Sequence, residues 1–306
     1  MLGEPIGSYE EKMKVALFAG PDVGKTTFGV RMAQMAMMKD PNLRLVIYNS
    51  EPIENLQRVI KGYPRVMERT DLVPTRSQMD EIRKQGQMLD ERGYEGGQEI
   101  ALAEFLYSEL RKLSNMPESF LKTRMIMVDT ASQIIEHLIM KAYDEVRGKV
   151  HGVRIDDRTS RFHYGPPKRK FNIMVKRLFN LPTHVLITGR TEPQGRFNDE
   201  TRQFSYVPNL EAPEWDRNPD NPSSVGYEAT TVIHMRKFLQ PAKNESGSVI
   251  YVDDRLPHKT YQETVRYAEV LKHKTTALVI PIFFNPTPWE IFSWIEQNSL
   301  AFAAKE

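Results

Sequence analysis

The stretch FAGPDVGKTTF, residues 18–28, constrains this chain more than any other. Before it, VALFA (residues 15–19) is an apolar run of strand length. After it, residues 26–39 lack proline and are rich in Met and Ala, as helices are. The stretch therefore predicts a strand, a tight loop and a helix. Gly24, free of a Cβ, lets such a loop curl its backbone N–H groups around an anion, and the first turn of the helix adds unpaired donors and the positive end of its dipole. Lys25 supplies a charge able to reach β- and γ-phosphates, and Thr26 a hydroxyl of the kind that completes a Mg²⁺ shell. This is the Walker A arrangement with one departure: Ala19 stands where the first glycine is usual, and Gly20 follows it. The candidate nucleotide residues are Gly20, Pro21, Asp22, Val23, Gly24, Lys25, Thr26 and Thr27.

Further candidate strands are residues 43–49, 123–129, 184–189, 229–235, 248–253 and 276–284. Several are continuous apolar runs, as expected of strands covered on both faces, and helical patterns separate residues 14–19, 43–49, 123–129 and 184–189. Strand and helix in alternation predict an α/β fold with a mostly parallel central sheet flanked by helices. Residues 1–306 are expected to form a single domain. Residues 75–118 read as a helical insertion and 191–228 as a long loop with a small hairpin at RQFSYVP. A late antiparallel strand pair precedes the last helix.

A short apolar strand, MIMVDT, ends in Asp129, the form of a Walker B carboxylate that holds the Mg²⁺ shell from beside the phosphate loop. An aspartate capping a helix that begins near Ser132 is the competing reading. Thr130, not Glu, follows Asp129, so a general base must come from elsewhere. Glu51, just past the strand 43–49 in YNSEP, is the candidate, because the carboxyl end of a parallel strand aims it at the nucleotide crevice. Its competing reading is a glutamate exposed in a turn before Pro52.

The order AGPDVGKTT, YNSE, MIMVDT and HVLITGR resembles the RecA-like P-loop ATPases, in particular the RecA-like nucleotide-binding proteins of bacteriophages, some of which act in single-strand annealing and recombination. The resemblance spans about residues 12 to 298, with the phosphate loop its one specific motif. It implies a RecA-like P-loop fold, ATP and Mg²⁺ as ligands, and Lys25 and Thr26 on phosphate and metal. It also implies Asp129 as the Walker B carboxylate and Glu51 as the base that polarises the attacking water. Thr188 and Arg190, ending LITGR, fall where the family places a γ-phosphate sensor. Single-stranded DNA as partner and assembly into a homo-oligomeric ring or filament follow from the same resemblance. So does the cytoplasm of a virus-infected host cell as one setting.

Net charge is +2, but ten Lys/Arg face three acids between Glu145 and Arg177. Phe162, Tyr164 and Phe171 lie among those charges. Arg158, Arg161, Tyr164, Lys168, Arg169 and Lys170 are thus candidates for neutralising phosphates and stacking on unpaired bases. The alternative is an amphipathic helix over 168–179, with Phe171, Val175, Leu178 and Phe179 facing the core. The acidic 191–226 loop repels DNA and suits a basic partner or a neighbouring subunit.

The chain has no cysteine, which excludes disulfides, zinc–thiolate sites and thiol catalysis. No apolar run is long enough to cross a bilayer, and MLGEPIGSYEEKMK lacks the pattern of a secretory signal, so a cytoplasmic protein without membrane contact is expected. The seven histidines show no metal spacing, and Met residues 32–38 read as packing of the first helix. Two other functions compete with a DNA-directed ATPase: a small-molecule kinase, and a nucleotide-switched scaffold or partner-loading protein. A guanine-specific Asn-Lys-x-Asp clamp is absent.

Overall fold

The computed structural model describes residues 12–149, 160–198, 203–213, 225, 228–250, 260, 262–273 and 281–303. Chain order is β1 (Lys14–Ala19), α1 (Lys25–Lys39), β2 (Arg44–Asn49), α2 (Ile53–Ile60), α3 (Pro64–Met67) and β3 (Thr70–Val73). Next come α4 (Arg76–Glu91), α5 (Gly97–Lys112), α6 (Glu118–Lys122), β4 (Arg124–Asp129), α7 (Ala131–Lys149) and α8 (Ser160–Phe179). The rest is β5 (His184–Asn198), β6 (Gln203–Pro213), β7 (Thr231–Pro241), β8 (Gln262–His273), β9 (Ile282–Phe284) and a last helix, α9 (Pro288–Ala303).

The strands line up as β3-β2-β4-β5-β1-β7-β8-β9. The six from β3 to β7 run parallel, whereas β8 and β9 are antiparallel additions at one edge. Alternate residues of β1 explain why its sequence is apolar throughout. Leu17 packs into a cluster with Phe28, Met32, Ile47, Met127 and Ile291 on one face. Phe18 joins Ile126, Leu106, Ile134, Phe171 and Ile187 on the other. A strand covered on both faces has no polar side to show. Each fully buried Leu, Ile or Phe there contributes about 1.5–3 kcal/mol through area removed from water. Met32, Met35 and Met37 are buried in the first cluster, so the Met-rich run of α1 is packing.

Residues 75–118 carry α4 and α5, joined by a short turn. Thr75 and Gln78 form a capping box that starts α4, with the Thr75 N–H donating to Gln78 Oε1 at 2.7 Å.

The structure departs from the sequence expectations in three places. Residues 248–253 do not form a strand in their described part, 248–250, which contributes only an isolated bridge from Val249 to Lys243. The partner of β7 is instead 262–273, whose alternation of charged and apolar residues (QETVRYAEV) fits a strand with one solvated face. Residues 191–198 and 203–213 are strand rather than loop: β5 runs on past the sheet and pairs antiparallel with β6, a longer hairpin that includes the one expected at RQFSYVP, and the remainder of the predicted excursion lies largely outside the described residues. Thr70–Val73 is a four-residue strand absent from the sequence reading; four residues are at the lower limit of the length over which periodicity can be read. Among the described residues no helix is long and apolar enough to cross a membrane.

Candidate nucleotide site

The carboxyl ends of β1, β2, β4 and β5 meet at one edge, and the candidate residues sit there. Gly24 closes the loop after β1 with φ 104°, a left-handed conformation that a side chain resists, and Asp22 is also left-handed at φ 55°. Gly24 leads directly into α1, so the free N–H groups of its first turn line the loop. Lys25 is only 8% exposed, its Nζ donating to the carbonyls of Ala19 at 3.2 Å and Gly20 at 3.1 Å. Burial pushes its pKa down, while the carboxylates of Glu51, Asp129 and Asp22 pull it back up. Ala19 is itself a residue of β1, paired with Arg190 and Met235, which explains why a Cβ is tolerated there.

Asp129 ends β4 and is 1% exposed. Thr26 donates to its Oδ2 at 2.7 Å and Thr188 to its Oδ1 at 2.5 Å. Three elements, α1, β4 and β5, therefore converge on one carboxylate. Both oxygens are thus engaged by side chains of elements other than α7. The peptide that follows, Asp129–Thr130, is cis. Ser50 ties β2 to the same place: its N–H donates to the Asp129 carbonyl at 2.8 Å and its hydroxyl bonds the Thr130 backbone at 2.9 Å.

Glu51 follows Ser50, and its side chain is 23% exposed, against the reading of a solvated turn residue. Its Oε1 lies 3.6 Å from an Arg190 guanidinium nitrogen. Burial raises the Glu51 pKa, as does the neighbouring charge of Asp129, and Lys25 and Arg190 work against both. Gln133 of α7 links Ser50 to Arg190 when its amide oxygen faces the guanidinium: the amide nitrogen then donates to the Ser50 carbonyl and hydroxyl and the oxygen accepts from Arg190. Ser132 accepts from the Arg190 N–H at 2.8 Å and fixes where β5 leaves the sheet.

The structure thus joins the phosphate loop, Asp129, Thr188, Arg190 and Glu51 into one site. Sequence reasoning missed Ser50, Ser132 and Gln133, because small polar residues next to strand ends carry no pattern of their own. It also missed Arg266 of β8, whose Nε donates to the Val23 carbonyl at 3.0 Å across 243 positions of chain. A cavity of about 800 Å³ adjoins Glu51, walled by α2, α4, α5 and α7, with Gln133, Arg76, Arg83 and His137 among its lining.

The basic segment divides differently. Arg158 lies outside the described residues, as do the side chains of Arg161 and Tyr164. Arg169 and Lys170 are exposed and Lys168 is half-buried on α8, whose opposite face buries Phe171, Val175, Leu178 and Phe179. That is the amphipathic pattern. His234, read as an imidazole of the core or surface, is 2% exposed and stacks on Phe18 at 4.4 Å.

Two side-chain oxygens at the strand ends are buried without a protein partner: Asn49 Oδ1, on the residue in register with Asp129, and Thr130 Oγ1, on the residue that follows Asp129. Among the described residues no group of three or more His, Cys, Asp or Glu could hold a metal by itself. An ion here would be held by one hydroxyl, one carboxylate, water and phosphate oxygens, as Mg²⁺ commonly is.

No protein-family model and no curated protein matches the chain. Among solved structures, a KaiC-like protein from the hyperthermophilic archaeon Pyrococcus horikoshii OT3 superposes with a TM-score of 0.38 and 12% identity. The match covers 89% of this chain and 84% of that one. At that level of likeness, function has to be read from the site.

Proposed function

We propose that the chain is a Mg²⁺-dependent ATPase of RecA-like type that acts on single-stranded DNA as a homo-oligomeric ring or filament. The observation that carries the ATPase reading is Asp129: a buried carboxylate shared by Thr26 of the phosphate-loop helix and Thr188 of β5, within a site that also holds Lys25 and Glu51. The hydrogen bond from the Gly-Lys-Thr loop to a strand-end aspartate supports that reading.

Each residue then has a role. The N–H groups of residues 22–27 and the Lys25 ammonium hold the polyphosphate. Mg²⁺, held by Thr26 and Asp129, would supply charge neutralisation across the phosphate oxygens. Glu51 takes a proton from the water whose oxygen forms the new bond to the γ-phosphorus as the bond to the β–γ bridging oxygen breaks and ADP leaves. Its raised pKa suits a base that must accept that proton. Arg190, with a guanidinium nitrogen 3.6 Å from Glu51 Oε1, is the sensor of a γ-phosphate: a bond to a phosphate oxygen would replace its contact with the carboxylate.

The DNA part rests on the basic segment, where Arg169 and Lys170 are exposed. ATP hydrolysis measured with and without single-stranded DNA, with Lys25→Ala as the blank, tests both parts. Hydrolysis stimulated by DNA is the expected result. Hydrolysis indifferent to DNA removes the partner and leaves the ATPase. Glu51→Gln is expected to lower kcat by about 10² to 10⁴ while ATP still binds, and undiminished turnover would remove Glu51 from the mechanism.

A second reading, phosphoryl transfer to a small acceptor, is favoured by the cavity beside Glu51. It predicts transfer of labelled γ-phosphate to a molecule other than water.

A further inference from the structure

β7 and β8 outrun the sheet. β1 pairs with β7 only as far as Ala19 and Met235, yet β7 continues through Pro241, paired residue by residue with β8 from Tyr267 back to Gln262. The result is a two-stranded arm standing beside the phosphate loop. Arg266 lies within it, opposite Lys237.

The backbone of Arg266 is held from β9. Asn285 donates its N–H to the Arg266 carbonyl at 2.6 Å, and its Oδ1 accepts from the Arg266 N–H at 3.0 Å. Asn285 reaches both from a left-handed conformation, φ 45°. With its backbone fixed, the side chain crosses to the loop, where Nε donates to Val23 O. A Cβ built on Gly24 would stand 3.8 Å from that Nε, so the guanidinium lies over the bare face of Gly24.

Electrostatics makes this placement informative. The loop already gathers the Lys25 ammonium, the N–H groups of the first turn of α1 and the positive end of the helix dipole. A neutral donor would satisfy the Val23 carbonyl equally well. A guanidinium adds a permanent charge beside the Lys25 ammonium and the helix N-terminus, where the carboxylates of Glu51, Asp129 and Asp22 face Lys25, and the arrangement is favoured further once a polyvalent anion is bound between the two cations. Nε occupies one of five donor positions, and the fork geometry of the others suits phosphate oxygens.

We propose that Arg266 is a nucleotide-binding residue supplied by the chain's own β8: Nε braces the phosphate loop at Val23, and the rest of the guanidinium takes an oxygen of the nucleotide's di- or triphosphate. The proposal rests on the nucleotide reading of the loop. It gives the antiparallel arm a task in the site, and it makes nucleotide affinity depend on a residue far from the loop in sequence.

The test is the affinity of the full chain for a fluorescent ADP analogue with Mg²⁺, compared among wild type, Lys25→Ala, Arg266→Ala, Arg266→Gln and Arg266→Lys. Gln keeps a donor for the Val23 carbonyl and loses the charge, whereas Lys keeps the charge. Arg266→Ala and Arg266→Gln are expected to bind about tenfold or more weakly, and Arg266→Lys within about threefold of wild type, the difference expected of a charge-assisted contact. Thermal midpoints without nucleotide identify any variant that fails to fold. Wild-type affinity in Arg266→Gln would overturn the proposal and leave a brace alone. An equal loss in Arg266→Lys would overturn it too, since charge would not be what counts. Absence of binding in the wild type, or undiminished binding in Lys25→Ala, would instead sink the nucleotide reading, and this proposal with it.

Discussion

At Asp129 two hydroxyls from different elements share one carboxylate, and the consequences differ for the two oxygens. Thr26 would give up its bond to Oδ2 in favour of a metal ion, whereas Thr188 keeps Oδ1 oriented whether or not the ion is present. Thr188→Val, nearly the same in shape, removes only the second bond. It is expected to weaken Mg²⁺-dependent ATP binding by about ten- to a hundredfold, the usual cost of losing an outer partner of a metal ligand. Calorimetric titration with ATP at several Mg²⁺ concentrations checks this, and an unchanged Mg²⁺ dependence would show that Asp129 is held without Thr188. Glu51 gives a pH signature at the same scale. A base must be ionised to act, and its pKa is raised first by burial and then by Asp129. The acid limb of kcat is therefore expected above the ordinary glutamate range near 4.5, and Glu51→Gln should abolish that limb along with turnover. A limb that persists in the residual activity belongs to another group.

Among the elements, α4 and α5 pack through glycine. A Cβ on Gly86 would meet the Gln98 Cα at 2.6 Å, and one on Gly97 would meet the Asp90 carboxylate at 2.6 Å and the Gly86 carbonyl. The Gly97 N–H also donates to Asp90 Oδ1 at 2.8 Å. Backbone cannot step aside as a methionine tip can, so Gly97→Ala is expected to destabilise the fold by about 1–3 kcal/mol through overpacking, seen as a lower denaturant midpoint. An unchanged midpoint would mean that the pair separates freely. Since α4 and α5 wall the cavity beside Glu51, the same variant is a means of altering that cavity without touching the carboxylate. None of this was legible in the sequence. RGYEGG reads as an interruption of a helical stretch, and only the crossing of the two helices shows what Gly86 and Gly97 are for. By contrast the phosphate loop, Asp129 and five of the six parallel strands were legible, because each is a local pattern of residue type and period. Ser50, Gln133 and Arg266 matter through contacts 80 or more positions away, or through a neighbour in space, and a single sequence does not encode those in any local period.

At the scale of the whole molecule, the β1–β7 junction carries a titration that couples stability to pH. His234 of β7 is 2% exposed, stacked on Phe18 of β1, with Arg236 Nε 3.2 Å from its ring and Glu269 of β8 3.7 Å away. Burial lowers its pKa from 6.5 to about 4, the Arg236 charge acting in the same direction and Glu269 against it. Between these two values the unfolded chain binds a proton that the folded chain refuses, so stability rises with pH across that window and falls as pH drops through it. Above pH 6.5 the residue contributes no slope. The loss on acidification from 6.5 to 4 is up to about 3 kcal/mol, from roughly 1.4 kcal/mol for each pH unit of displacement. His234→Leu keeps an apolar side chain against Phe18 and removes the titration. Its absolute stability can differ from wild type in either direction, but its slope against pH between 6.5 and 4 is expected to be flatter by about that amount in denaturant titrations. Parallel curves for the two proteins would locate the acid sensitivity elsewhere. A flatter curve would assign that share of the acid sensitivity to the imidazole at the junction between the parallel sheet and the antiparallel arm.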